Sequence, residues 1–263
     1  MISVGNRKNT GQKYIKAQKY TLAFILLNVM FMLLSQDVLA ETNRNVFGFT
    51  STRLIYNEKG NKGASLTFIN NTNKSFIIMP TIYDMDKNGN RSDIRNSAFV
   101  VAPLVKKISP FSEDVIKIIR TGSEISDKVE SLFYLSSVLI PSQQKSNSEK
   151  ISVNIGYLWN MKIFYRPLSL KNKKVSDSLE KLNVSKDGKR IKFVNNSPLW
   201  MTVVNIKVNG NPLKGAIATL MVGPYSSTLL DVSESFVSSV ELQVVDESGH
   251  HIPVKGKIFT FDE

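Results

Sequence analysis

Few side chains in this sequence are spaced for bond-making chemistry. Asp84-Met85-Asp86-Lys87-Asn88-Gly89-Asn90 opens like a calcium loop, in which alternate oxygen donors wrap a cation. Position twelve of such a loop needs a bidentate Glu, but Arg95 stands there, and the flanks alternate like strands. A hairpin turn is the expectation. His250 and His251 follow a Ser248-Gly249 turn. Neighbours on a strand point to opposite faces, so these two are not expected to share a metal. The chain has no cysteine, which removes disulfides, thiolate nucleophiles and Cys-based zinc sites. It carries neither a Gly-rich phosphate loop nor a Gly-x-Ser-x-Gly elbow, and no base is evident beside any Ser. No enzyme, cofactor or metal is therefore expected, and binding chemistry is left.

The pattern that suits binding lies at residues 151–167. Ile151, Val153, Ile155, Tyr157, Trp159, Met161 and Ile163 share one parity, while Ser152, Asn154, Gly156, Asn160 and Lys162 fill the other with small or polar groups. Side chains alternate faces along a strand, so this reads as one long strand with a continuous apolar row. It is well beyond the usual ~5–6 residues. Something must cover that row, and the cover need not belong to the same chain. Pro167 cannot donate to a ladder and stops the strand.

The elements around it follow from composition. Lys13, Lys16 and Lys19 precede an uncharged run from Thr21 to Leu34, and Val38-Leu39-Ala40 has the small or aliphatic residues of a cleavage site. Residues 1–40 are expected to be a secretory signal peptide, the mature chain beginning at Glu41. The run is shorter than the ~20 residues that span a bilayer, so no stable membrane insertion is expected. The net charge is +12. Such a balance suits nucleic acid, an anionic membrane surface or an acidic partner. Export argues against nucleic acid, and scattered lysines such as Lys171, Lys173, Lys174 and Lys181 read as a solvated surface.

Short apolar runs broken by Asn, Gly and Pro recur along the rest of the chain. Strands are expected at 64–69, 75–83, 99–105, 114–119, 131–140, 190–194, 200–208, 227–232 and 239–245, with one helical turn near 176–182. This spacing indicates all-β antiparallel sandwiches. The break at Arg166-Pro167-Leu168 divides them into an N-terminal domain at 41–166 and a C-terminal domain at 168–263.

The residues then resemble a known family, the periplasmic chaperones of chaperone–usher pili. Thr52-Arg53-Leu54-Ile55-Tyr56, Phe99-Val100-Val101-Ala102-Pro103 with Lys107-Ile108-Ser109-Pro110, and Glu130-Ser131-Leu132-Phe133-Tyr134 with Ile140-Pro141 match in order. Lys162 to Pro167, Asn195-Asn196-Ser197-Pro198, Met221-Val222-Gly223-Pro224 and Asp246-Glu247-Ser248-Gly249 complete the series. The resemblance implies two immunoglobulin-like β-sandwich domains set in an L, or boomerang, with a cleft between them. Membership of the sandwich class and binding by strand addition are general properties of such chaperones, and they come with the resemblance instead of from the spacing.

The resemblance also implies a function and its residues. The chain would be a non-enzymatic periplasmic chaperone that binds pilus or fimbrial subunits and delivers them to an outer-membrane usher. Its clients would be sandwiches lacking their last strand. Ile151, Val153, Ile155 and Tyr157 would fill the client's groove, although the same residues also read as plain sandwich core, and Tyr157 and Trp159 as packing inside the N-terminal domain. Arg53 and Lys162 would clamp the client's C-terminal carboxylate. Glu130, Arg166 and Asp246 would form a structural ion network between the domains. The competing expectation is a secreted two-domain adhesin or fibre component. A polymerising subunit needs a donor extension at its mature N-terminus, and Glu41 to Asn45 is short and polar.

Overall fold

The computed structural model describes residues 46–58, 63–86, 89–142, 155–213, 215, 219–232, 236–254 and 259–260. The expected signal peptide, the groove residues Ile151 and Val153, and Lys87-Asn88 of the hairpin turn lie outside them. The first sandwich is built from β1 (Phe47–Phe49), β2 (Arg53–Asn57), β3 (Ala64–Asn70), β4 (Ser75–Met85), β5 (Arg91–Arg95), β6 (Phe99–Ala102), β7 (Lys106–Ile108), β8 (Ser112–Arg120), β9 (Ser131–Ser142) and β10 (Tyr157–Arg166). One sheet runs β1-β3-β8-β6 and the other β2-β10-β9-β4-β5, with β7 also on β4.

Alternation explains the core between these sheets. Phe76, Ile78 and Ile82 of β4 face Leu66 and Phe68 of β3 and Ile116 and Ile118 of β8 in one buried cluster. Each such side chain contributes roughly 1.5–3 kcal/mol on burial. Pro80 sits between the stretch of β4 paired with β7, Phe76 to Ile78, and the stretch paired with β5, Tyr83 to Met85. A residue without an N–H is placed where that edge has no described partner to satisfy. β6 stops at Ala102, short of the expected Val105, because Pro103 has no N–H to continue the ladder.

The second sandwich holds β11 (Leu182–Asp187), β12 (Arg190–Asn195), β13 (Met201–Val208), β14 (Asn211–Pro212), β15 (Thr219–Val222), β16 (Ser226–Asp231), β17 (Ser239–Val245), β18 (His251–Pro253) and β19 (Phe259–Thr260). Its sheets are β11-β12-β16 and β14-β13-β17-β18, with β15 on β13 and β19 on β17. The helical turn is a 3-10 segment at Ser176–Lys181. Phe193, Val203, Ile206, Val240 and Val244 fill the core.

Both sandwiches close a strand end with the same device. Asn70 ends β3 and donates from Nδ2 to the carbonyls of Lys74 at 2.8 Å and Ser109 at 2.7 Å, while its Oδ1 accepts from the Thr72 amide and hydroxyl. Asn195 ends β12 and donates to Leu199 O at 2.7 Å and Gly223 O at 2.9 Å, while its Oδ1 accepts from the Ser197 amide and hydroxyl. Each amide satisfies buried turn groups that would otherwise cost about 1–3 kcal/mol apiece.

Candidate functional site

β10 has two unlike halves. Lys162 to Tyr165 lie between β9 and β2, Arg166 pairs with β2, and the β2 pairing is parallel. Tyr157 to Met161 pair with β9 on one side and, among the described residues, with no strand on the other. The strand begins at Tyr157; Ile155 and Gly156 precede it without strand geometry. The apolar row therefore divides. Met161, Ile163 and Tyr165 are sealed in the first core. Ile155 is 69 % exposed and Tyr157 45 %.

The half-open part of the row rests on β1. Tyr157 meets Phe47 edge-on at 5.0 Å between ring centroids, and Trp159 meets Phe49 at 6.4 Å. The indole lies so close to Gly48 that a Cβ there would stand 2.7 Å from Trp159 Cη2, and Gly48 has φ +151°. Only glycine admits that approach. Tyr157 and Trp159 are thus shared between the domain's own packing and the open edge, whereas Ile155 takes no part in the core.

Arg53 opens β2 directly opposite Lys162 of β10. Both side chains are half-buried, and among the described residues neither makes an ion pair. The Arg53 guanidinium lies 5.4 Å from the centre of the Phe164 ring, and its Nη1 donates to Val245 O of the second sandwich at 3.4 Å. Burial lowers the Arg53 pKa, opposed by the charges of Asp246, Glu247 and Glu130. Burial also lowers the Lys162 pKa, and the Arg53 charge adds to the effect. Two adjacent, partly desolvated cations favour an anion, and a carboxylate with its two acceptor oxygens fits a guanidinium fork beside an ammonium.

The contact between the sandwiches supports this corner. Arg166 Nε donates to Glu130 Oε1 at 2.8 Å, and Arg166 Nη1 donates to Glu247 Oε1 at 2.8 Å. The side chains of Arg166 and Glu130 are 4 % and 1 % exposed. Glu130 Oε2 accepts from the Trp200 amide at 2.9 Å, and Glu247 also accepts from the Val175 amide. Burial raises the Glu130 pKa, and Arg166 opposes that.

The expected member Asp246 does not reach Arg166; Glu247 does. The reason is local. Asp246 Oδ1 accepts from the backbone amides of Ser248 at 2.9 Å and His250 at 2.8 Å, which ties the carboxylate into its own turn. Burial works to raise its pKa, but those bonds and His250 together outweigh it and hold the group below the usual carboxylate value. Sequence reasoning left out β1, and it placed the turn at Gly249 without its contact to the first sandwich. A Cβ on Gly249, which has φ +89°, would stand 2.6 Å from Thr52 Oγ1, so the second sandwich presses close beside Arg53. A small, half-open pocket at this junction is lined by Arg53, Phe164, Glu130, Arg166, Asp246 and Glu247. His250 and His251 turn to different neighbours, Asp246 and Asn205.

Comparison with known proteins accounts for both sandwiches. Residues 47–171 match the family described as pili and flagellar-assembly chaperone, PapD N-terminal domain, and residues 177–255 match pili assembly chaperone PapD, C-terminal domain. The chain is 26% identical over 237 residues to chaperone protein CssC of Escherichia coli, covering 88% of this chain and 95% of the relative. It is 25% identical over 236 residues to the probable fimbrial chaperone SfmC of Escherichia coli strain K12, covering 89% and 96%. Its fold resembles that in the Salmonella enterica SafA pilin–SafB chaperone complex, with a TM-score of 0.66 at 20% identity, over 78% of this chain and 92% of the other.

Proposed function

The chain belongs to the PapD family of pilus-assembly chaperones, and from that premise we propose that it captures pilus subunits in the periplasm through the open half of β10 and the Arg53–Lys162 pair. The carrying observation is that the edge at Tyr157 to Met161, free among the described residues, continues along the same side of β10 into the parallel strand β2 that begins at Arg53.

A strand added to that edge has two possible directions. Run parallel to β10, it heads toward the start of β2, and its C-terminus meets Arg53 and Lys162. Run antiparallel, it brings its N-terminus there, an ammonium against two cations. Charge selects the parallel direction and the terminal carboxylate. Main-chain ladder bonds hold the added strand, and alternate side chains give specificity.

Ile155 and Tyr157, with Ile151 and Val153 ahead of them, insert into the subunit's groove. Four side chains at roughly 1.5–3 kcal/mol each give on the order of 6–12 kcal/mol gross. Association and ordering cost about 4–15 kcal/mol. The apolar row alone therefore leaves capture near balance, and the terminal anchor decides both affinity and register. A slip of one residue turns the row outward. Covering the subunit's open edges keeps them from pairing early, and the protected subunit is delivered to an outer-membrane usher. This role needs no catalysis.

The test is co-production with a cognate subunit whose tail is either native or lengthened by a few residues past its last strand. Capture is expected of the native tail and lost with the lengthened one, since no carboxylate then reaches Arg53. Equal capture of both tails would overturn the anchor.

A further inference from the structure

Asp246 is the acidic group whose role remains open once Glu247 is seen to occupy Arg166. Glu130 and Glu247 both pair directly with Arg166, at 2.7 and 2.8 Å. Among the described residues the side-chain neighbour of Asp246 Oδ2 is the ring Nδ1 of His250 at 3.4 Å, and that ring is largely in solvent. Two backbone amides hold its carboxylate in the turn, at the pocket it shares with Arg53.

Arg53, for its part, is oriented by uncharged groups, the Val245 carbonyl and the Phe164 ring. Asp246 follows Val245 in the chain, so the group that orients Arg53 also places a fixed negative charge beside it. That charge eases the burial of Arg53 in the free protein. It also repels a second carboxylate arriving at the same guanidinium. Both effects favour the unloaded state.

Resting on the reading of Arg53 and Lys162 as a carboxylate anchor, we propose that Asp246 is a positioning residue of opposite sign, a built-in counterweight that weakens the grip on the subunit's terminal carboxylate and keeps capture reversible. It acts through Arg53 without touching the client. A carrier that must surrender its cargo gains from such a limit, because tightening the anchor without bound would slow release.

The experiment uses the full mature chain and two synthetic peptides, an alternating apolar strand ending in a free carboxylate and its C-terminal amide twin, with affinities read by titration. Wild type is expected to prefer the carboxylate peptide. Asp246→Asn keeps an oxygen for both turn amides and removes only the charge. It should bind the carboxylate peptide about three- to tenfold tighter, as expected for one charge at partial screening, and the amide twin unchanged. The gain should shrink as salt rises. Asp246→Ser, which also keeps an acceptor oxygen, should behave likewise. No gain for the carboxylate peptide, or an equal change for both peptides, overturns the counterweight while leaving the anchor standing. Lack of any carboxylate preference in wild type overturns the anchor itself, and the counterweight with it.

Discussion

Arg53 and Lys162 stand side by side on parallel strands, half-buried and without an ion-paired carboxylate among the described residues. Like charges so placed cost stability in the free protein, and a binding partner of opposite sign relieves that cost. The pairing is a consequence of topology, since β2 joins the sheet of β10 whereas β1, a few residues earlier, joins the other sheet.

Arg53→Ala and Lys162→Ala should each leave the fold intact and greatly reduce subunit capture. A hydrogen bond to a charged group is worth about 1.5–3 kcal/mol, so each loss corresponds to roughly ten- to a hundredfold in affinity. Pull-down of a cognate subunit checks this, with a thermal melt as control; normal capture by both variants would falsify the anchor.

Capture should weaken with rising pH sooner than an ordinary lysine predicts. The folded pKa of Lys162 lies below its usual value through burial and then Arg53. Its charge is therefore costly in the folded chain at neutral pH. That cost is relieved as pH rises from the lowered folded pKa to the unfolded value, so stability gains in the window where anchoring is lost. Lys162→Arg should carry capture to higher pH. Binding titrations across alkaline pH measure the shift, and coincident profiles for the two proteins contradict it.

Ile155→Asp and Ile163→Asp separate the two halves of the apolar row. Ile155 is 69 % exposed and Ile163 0 %. The first should reduce capture at an unchanged melting temperature. The second should unfold the N-terminal sandwich, because an unpaired charge in a core costs several kcal/mol. A large loss of melting temperature in Ile155→Asp would reassign that residue to the internal core.

Glu130→Ala should destabilise more than Glu247→Ala. Both remove a partner of Arg166, but Glu130 is fully buried whereas the side chain of Glu247 is 25 % exposed. Breaking a buried pair costs about 3–5 kcal/mol. Denaturant unfolding of the two variants ranks them, and equal losses would show that the junction does not depend on the depth of the pair.

Gly48→Ala should cost about 1–3 kcal/mol through overpacking and a poor backbone conformation. The added methyl meets the Trp159 indole, and φ +151° disfavours any side chain there. The indole must shift, so tryptophan fluorescence should change together with stability. An unaltered spectrum and melt would show that the contact is loose.

The strand pattern was legible because alternation is a local property. The stretch Ser239–Val245 runs as the apolar spacing requires, and the Asn-Asn-Thr and Asn-Asn-Ser turns close their strands where the sequence places them. Several short strands escaped notice, among them β1, β7 and β14. Two or three residues carry no period, and pairing alone makes them strands. The long strand read from Ile151 begins at Tyr157 among the described residues, because alternation reports which face a side chain takes and not where a ladder has a partner.

The site divides in the same way. By its own chemistry the sequence determined an all-β chain with a basic residue at the end of an apolar row; family resemblance then supplied the binding role and singled out Arg53. Only the tertiary structure decided that Arg53 abuts Lys162, that the edge beside Tyr157 is open among the described residues, and that Glu247 instead of Asp246 reaches Arg166. Residue type and spacing record local preference. Which charge meets which across two sandwiches depends on strand order and on which lone pairs a turn has already claimed, as the amides of Ser248 and His250 claim Asp246.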